Sequence, residues 1–359
     1  MEHDCLKLTT YSGERDRADG AFLTDALVAL YERHAIATSA VFRGAEGFGV
    51  HHHLRTDRQL TLSEDLPVVT VAVDRRERVE ALLPEVERLF GHGLVTLERA
   101  RMLTGGGTAW EVPDGSSGDA TKLTVYVGRA ERAGGTSATE AVVALLRRHG
   151  VAGATALLGV DGTAGGARRR ARFTSRNAEV PVMVISVGER ERIAAALPEL
   201  GELLPRPLVT LERVRVCKRD GATLAPPREV PAEDEAGLGL WQKLMVYAGE
   251  QTHHAGRPLH VELIHRLRAE GAAGATALRG FWGYHGDHEP HGDRFWAVRR
   301  RVPVVTVIVD RPERARRWYE IADELTARAG LVTSEVVPAL RATGPDIRRG
   351  GLSLAARLP

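Results

Sequence analysis

The feature that most constrains this chain is that it says the same thing three times. The segment Lys7-Leu8-Thr9-Thr10-Tyr11-Ser12-Gly13 returns as Lys122-Leu123-Thr124-Val125-Tyr126-Val127-Gly128 and again as Lys243-Leu244-Met245-Val246-Tyr247-Ala248-Gly249. Phe42-Arg43-Gly44 corresponds to Leu158-Gly159 and to Leu278-Arg279-Gly280. LPVVTVAVD (66–74) corresponds to VPVMVISVG (180–188) and VPVVTVIVD (302–310), and the copies close on LVTLER (94–99), LVTLER (208–213) and LVTSEV (331–336). Four blocks in one order at nearly constant spacing define tandem units. They run over 5–103, 121–217 and 241–340. Between them, 104–120 and 218–240 are rich in Gly, Pro, Ser and charge, the composition of solvated linkers, and the tail 341–359 is similar.

Within a unit the hydrophobic period alternates. Residues 6–12 alternate as a strand does, and 21–34 place Phe22, Leu23, Ala26, Leu27, Leu30 and Tyr31 on one helical stripe. Strands are expected over 36–43, 66–73 and 94–103, with a second helix over about 75–90. The resulting order βαββαβ is that of the ferredoxin-like module, which carries both helices on one face of an antiparallel sheet. The bare face needs cover, and the sister units are the available cover. The expected class is therefore α+β, three ferredoxin-like modules forming an intramolecular pseudo-trimer.

Composition narrows the function classes. Lys and Arg total 49 against 47 Asp and Glu, a formal net charge of +2, so no global field draws the chain to nucleic acid or anionic membrane. The two cysteines, Cys5 and Cys217, make neither a disulfide framework nor a CxxC site. No secretory signal and no run of ~18 apolar residues occurs, so a cytoplasmic protein is expected. Catalytic signatures such as GxSxG, HExxH or a Walker loop are missing, and Gly105-Gly106-Gly107 opens a linker rather than a helix. The expectation is a non-enzyme.

GRPLHVELIHRLRAEGAAGATALRGFWGYHG (256–286) followed by VPVVTVIVD (302–310), and LSEDLPVVTVAVD (62–74) with GHGLVTLE (91–98), resemble the DUF190 (UPF0166) family of the PII-like (GlnB-like) superfamily. The resemblance spans all three units. It implies packing around the exposed sheet faces, hence a monomeric pseudo-trimer. It also implies a signalling role: a small effector between modules, an adenine nucleotide (ATP, ADP, AMP or cyclic AMP), and long T-loops over 45–65, 160–179 and 281–301 that report to a partner. The partner implied is a membrane transporter or a fluoride-channel-type protein; no nucleic acid is expected.

Effector-site candidates follow from this. The loop bases hold Gly44, Gly47 and Gly49 beside Arg43, Gly159 with Gly162, and Gly280 and Gly283 beside Arg279. Such glycines let backbone amides approach a phosphate, or simply supply turn geometry. Before the last strand lie Gly91, His92 and Gly93, with Arg206 and Arg328 at the corresponding places; the lysine that PII proteins carry there is missing. On the last strands Arg99 and Arg101, and Arg213 and Arg215, share a face and could clamp phosphate, or merely line a solvated edge; unit 3 has Val336 and Pro338 instead. Inter-unit clefts are accordingly expected to differ. The alternatives are a divalent-metal-binding, CutA-like protein using His285, His288 and His291, or a scaffold that binds no ligand.

Overall fold

A computed structural model of the chain describes residues 2–49, 54–56, 65–91, 93–105, 110, 112, 119–170, 179–235, 237, 239–285, 291–292 and 302–342. Each unit contains four long strands and two helices in the expected order. In unit 1 these are Glu2–Gly13, helix Leu23–Arg33, Thr38–Arg43, Pro67–Arg75, helix Arg76–Leu89 and Leu94–Thr104. Unit 2 has Asp119–Gly128, helix Ala138–Arg148, Gly153–Leu158, Pro181–Gly188, helix Arg190–Leu203 and Leu208–Arg219. Unit 3 has Leu240–Gly249, helix Leu259–Ala269, Ala275–Arg279, Pro303–Asp310, helix Pro312–Leu325 and Leu331–Ala342. In every unit the first strand lies between the third and the last, antiparallel to both, and the second strand pairs with the third.

The helices form because their apolar residues recur on one stripe. Leu23, Leu27, Leu30 and Tyr31 of the first helix are buried against Val79, Leu82, Leu83 and Val86 of the second, over Leu6, Leu8 and Leu97 of the sheet. Units 2 and 3 repeat this arrangement in their own cores. A fourth core belongs to all three units. Val69, Val71 and Val73 of unit 1 meet Met183, Ile185 and Val187 of unit 2 and Val305, Val307 and Val309 of unit 3. Each such side chain contributes about 1.5–3 kcal/mol on leaving water. One face of each sheet thus packs its own helices and the other packs its sister sheets.

Strand pairing closes the three units into a circuit. Glu46–Phe48 of unit 1 pairs with the strand Ala275–Arg279 of unit 3, Trp282–His285 of unit 3 with Gly153–Leu158 of unit 2, and Asp161–Ala164 of unit 2 with Thr38–Arg43 of unit 1. The last strands close a second circuit: the end of each pairs with the start of the next, and that of unit 3 returns to that of unit 1.

Two sequence expectations are corrected. The gaps after the second strands are not structureless at their bases: each begins with a short strand that docks on a neighbouring unit. Nor are the linkers solvated throughout. Trp110 and Val112 are buried in the core of unit 2, where Arg190 Nη2 donates to the Val112 carbonyl at 3.0 Å. The second linker returns along the last strand of unit 2 through a hairpin whose turn, Asp220-Gly221, has φ of 48° and 82°. Average composition concealed these anchors. No helix among the described residues is long and apolar enough to cross a membrane.

Candidate functional site

Two constructions stand out, one at the centre and one between units 1 and 3. The central one is built from the repeat itself. The lysine of each first strand and the glutamate of each last strand point into the shared core. Lys7 Nζ lies 2.8 Å from Glu98 of its own unit and 2.5 Å from Glu212 of unit 2. Lys122 pairs with Glu212 of its own unit and, at 2.5 Å, with Glu335 of unit 3. Lys243 pairs with Glu335 of its own unit at 2.9 Å and with Glu98 of unit 1 at 2.7 Å. Three ammoniums and three carboxylates therefore alternate in a closed, electrically neutral ring, every member buried.

Electrostatics reinforce the ring. Burial opposes the charge on Glu98 and Glu335, but the facing lysines outweigh it and hold Glu98 well below, and Glu335 below, the ordinary carboxylate range. Burial likewise opposes the charge on Lys7 and Lys243, and the carboxylates outweigh it, raising both. The three glutamates lie close enough to ligate one cation, with candidate oxygens all within 4.8 Å. Each is already neutralised by two ammoniums, so the donor set does not suit a metal. A small cavity of about 40 Å³ borders the ring, large enough for ordered water.

The second construction is a cavity of about 130 Å³ in the cleft between units 1 and 3. Unit 1 supplies Tyr11, Ser12, Asp16, Phe48, Arg55 and Leu94, with Gly49, Pro67 and Gly93. Unit 3 closes it with Trp241, Val307, Val309 and the backbone-rich stretch Ala273–Thr276. The polar rim is organised locally. Asp16 Oδ2 accepts the Gly13 amide at 2.7 Å, and Arg55 pairs with Asp65 at 2.8 Å. The Ser12 hydroxyl is buried and has no hydrogen-bond partner among the described residues. A pocket of mostly apolar wall with a few polar groups is the form ligand sites take.

The comparisons agree with three tandem units. The family model DUF190, described as "Uncharacterized ACR, COG1993", matches residues 5–102, 120–216 and 241–339. The chain belongs to the DUF190 family. A curated relative, "UPF0166 protein" from Aquifex aeolicus (strain VF5), is 30% identical over 95 residues, which is 26% of this chain and 88% of the relative. The relative thus corresponds in length to one DUF190 unit, where this chain has three.

Of the predicted effector residues that are described, Gly49 and Gly93 line the cavity. Gly93 has φ of 107°, and a Cβ there would lie 2.6 Å from the Tyr11 carbonyl. The other loop-base glycines serve a different purpose. A Cβ on Gly47, Gly162 or Gly283 would lie 2.6, 2.1 or 2.2 Å from the carbonyls of Ala275, Ser39 and Ala154, so these three admit the neighbouring unit's strand, whereas the atoms nearest a Cβ on Gly44, Gly159 or Gly280 belong to Pro67, Pro181 and Pro303 of their own units. Arg43 is paired with Glu14, and Arg279 with Glu250 at 3.0 Å.

Arg99 and Arg101 share the face of Leu97, which packs the helices, and neither lines the cavity. Arg99 is half-buried; burial and then the charge of Arg76 lower its pKa. Arg215 Nε donates to the Pro226 carbonyl at 2.8 Å, while Gly91, Arg206, Arg213 and Arg328 are exposed. His285 Nε2 meets Asp220 Oδ1 at 2.6 Å; His92, His288 and the His291 side chain lie outside the described residues. Both cysteines are free and buried, and burial pushes the Cys217 thiol up to about 12. Residues that sequence reasoning passed over are the ring itself, Trp241 and Ser12. The ring had a visible signal: a lysine and a glutamate at the same place in all three copies.

Proposed function

We propose that this chain is a PII-like regulatory protein: three ferredoxin-like modules folded into an intramolecular pseudo-trimer that binds a small effector between modules and signals through the loops at that cleft. The observation that carries the reading is the unit 1–unit 3 cavity, bordered at once by the base of a long loop (Phe48, Gly49, Arg55), the turn before a last strand (Gly93) and the sheet of the next module. A ligand seated there touches three elements that a change of loop position would separate, so it binds one loop arrangement better than another. Differential contact of this kind is what shifts a conformational equilibrium. The family resemblance suggests an adenine nucleotide as effector and a membrane transporter or channel as partner, with no catalytic role.

The test combines binding with mass. Titration calorimetry of the full chain with ATP, ADP, AMP and cyclic AMP should show saturable binding by at least one, with hydrogen exchange slowed over 45–65. Light scattering should give the single-chain mass of 39.0 kDa. No binding by any of the four removes the effector reading, and a mass three times larger removes the self-contained pseudo-trimer.

A further inference from the structure

The three clefts differ at the positions a ligand would touch. The loop strand of unit 1 sets Phe48 opposite Ala275; by the same register Thr163 stands opposite Ser39, and Tyr284 opposite Ala154. Trp241, two residues before its unit's ring lysine, corresponds to Cys5 and Ala120. Ser12 corresponds to Val127 and Ala248. Among these described positions, only the unit 1–unit 3 cleft therefore combines two large aromatic residues from facing units with a hydroxyl.

At the other two clefts the corresponding side chains hydrogen-bond to the neighbouring unit. Between units 2 and 1, the Thr163 amide donates to Ser39 Oγ at 2.9 Å, the two hydroxyls are 2.9 Å apart, and Thr38 Oγ1 donates to the Thr163 carbonyl at 3.2 Å. Where these hydroxyls interlock, unit 3 offers only Gly274 and Ala275. Between units 3 and 2, Tyr284 is buried in the core of unit 2 and its hydroxyl donates to the Val151 carbonyl at 2.7 Å. The recurring tyrosine reflects the difference. Tyr126 and Tyr247 are 6% and 8% exposed within the shared core, whereas Tyr11 is only partly buried and borders the cavity.

We infer that the chain carries one ligand site, not three, and that the unit 1–unit 3 cavity takes the flat ring of a heteroaromatic compound, with Ser12 hydrogen-bonding the polar edge of that ring. This rests on the effector-binding reading and narrows it. The volume of about 130 Å³ is close to the roughly 150 Å³ of a protein cavity that accommodates benzene. Tyr11, Phe48 and Trp241 supply the aromatic faces and edges against which a planar ring packs in offset or edge-on geometry. The buried, unpartnered Ser12 hydroxyl gains a hydrogen bond when a ring nitrogen or exocyclic group arrives, so the site prefers a heteroaromatic ring to a hydrocarbon. Trp241 and Ser12 are thus the specificity-determining residues.

The experiment is calorimetry on the full chain with two probes, ATP and adenosine. One equivalent bound per chain by either probe, weakened at least tenfold by Trp241→Ala and severalfold by Ser12→Val, is the expected result. Ser12→Val installs the residue that unit 2 carries at this position, so it tests the hydrogen bond in a chain that folds. Ser39→Ala, at the unit 2–unit 1 cleft, should change neither stoichiometry nor affinity. Two or three equivalents per chain would overturn the single site and leave the effector reading standing. One equivalent unmoved by Ser12→Val and Trp241→Ala would place the ligand elsewhere and overturn the assignment. No saturable binding by either probe would remove the adenine effector and this inference with it.

Discussion

At the scale of single residues, the loop-base glycines are defined by what lies next to them. Gly162 sits where a Cβ would be 2.1 Å from the Ser39 carbonyl of unit 1, and backbone cannot yield as the end of a flexible side chain can. Gly162→Ala is expected to lower stability by about 1–3 kcal/mol, the usual effect of overpacking, read as a shift in urea midpoint. Gly49→Ala, with nothing within 4 Å, should stay within about 0.5 kcal/mol of the parent. Gly47, Gly162 and Gly283 are legible in the sequence but their purpose is not, because the carbonyl each one avoids belongs to a different unit. Lys7, Lys122 and Lys243 recur in every repeat block, yet recurrence alone does not show their role. Lysine is almost never fully buried unless paired, and its partners lie ~90–210 positions away in a circuit visible only once the units are closed. Trp241 and Ser12 were hidden for the opposite reason: they break the repeat, and reading by similarity passes over exceptions.

At the scale of elements, periodicity located the four long strands and two helices of unit 1, and the repeat carries them to units 2 and 3, because each buries one face and that pattern is written locally. It did not find the short loop strands, whose stability comes from an edge offered by the next unit. Nor did it anticipate the small hairpins before the first helices, Arg17–Ala18 with Ala21–Phe22 and their counterparts, whose turns hold Asp19-Gly20, Gly134-Gly135 and Ala255-Gly256 at positive φ. The first linker shows how composition misleads. Trp110 is 8% exposed within the core of unit 2 although the linker that carries it is rich in glycine and polar residues. Trp110→Ala should remove about 3 kcal/mol. It should also speed protease cleavage between units 1 and 2, which gel analysis of a timed digest would follow. Unchanged stability and unchanged cleavage would mean that the linker's anchor is dispensable.

At the scale of the whole molecule, the Lys–Glu ring is where, among the described residues, all three units meet through charge, and it contributes to the chain's response to pH. Glu98 and Glu335 have folded pKa values below their unfolded ones, so their contribution is present above about pH 4.3 and is lost as pH falls through the folded values. Lys7 and Lys243 have folded values above their unfolded ones; their contribution is present below about pH 10.4 and is lost as pH rises through the folded values. Denaturant midpoints should therefore form a plateau between those limits and fall on both sides. Breaking the alternation by Lys122→Met leaves Glu212 and Glu335 each short of a partner inside the core, and should lower stability by about 3–5 kcal/mol at neutral pH. Replacing all six members by apolar residues of similar volume removes the charges together with the need for partners, so that variant should unfold no more easily than the parent. The two variants separate a ring whose value is net attraction from one whose value is registry. If the sixfold replacement is as unstable as Lys122→Met, attraction dominates. If it is stable but its amide spectrum broadens or multiplies, the alternation of signs is what tells each unit which neighbour to hold and at what height, a discrimination that three similar valine-rich sheet faces cannot supply by hydrophobicity alone.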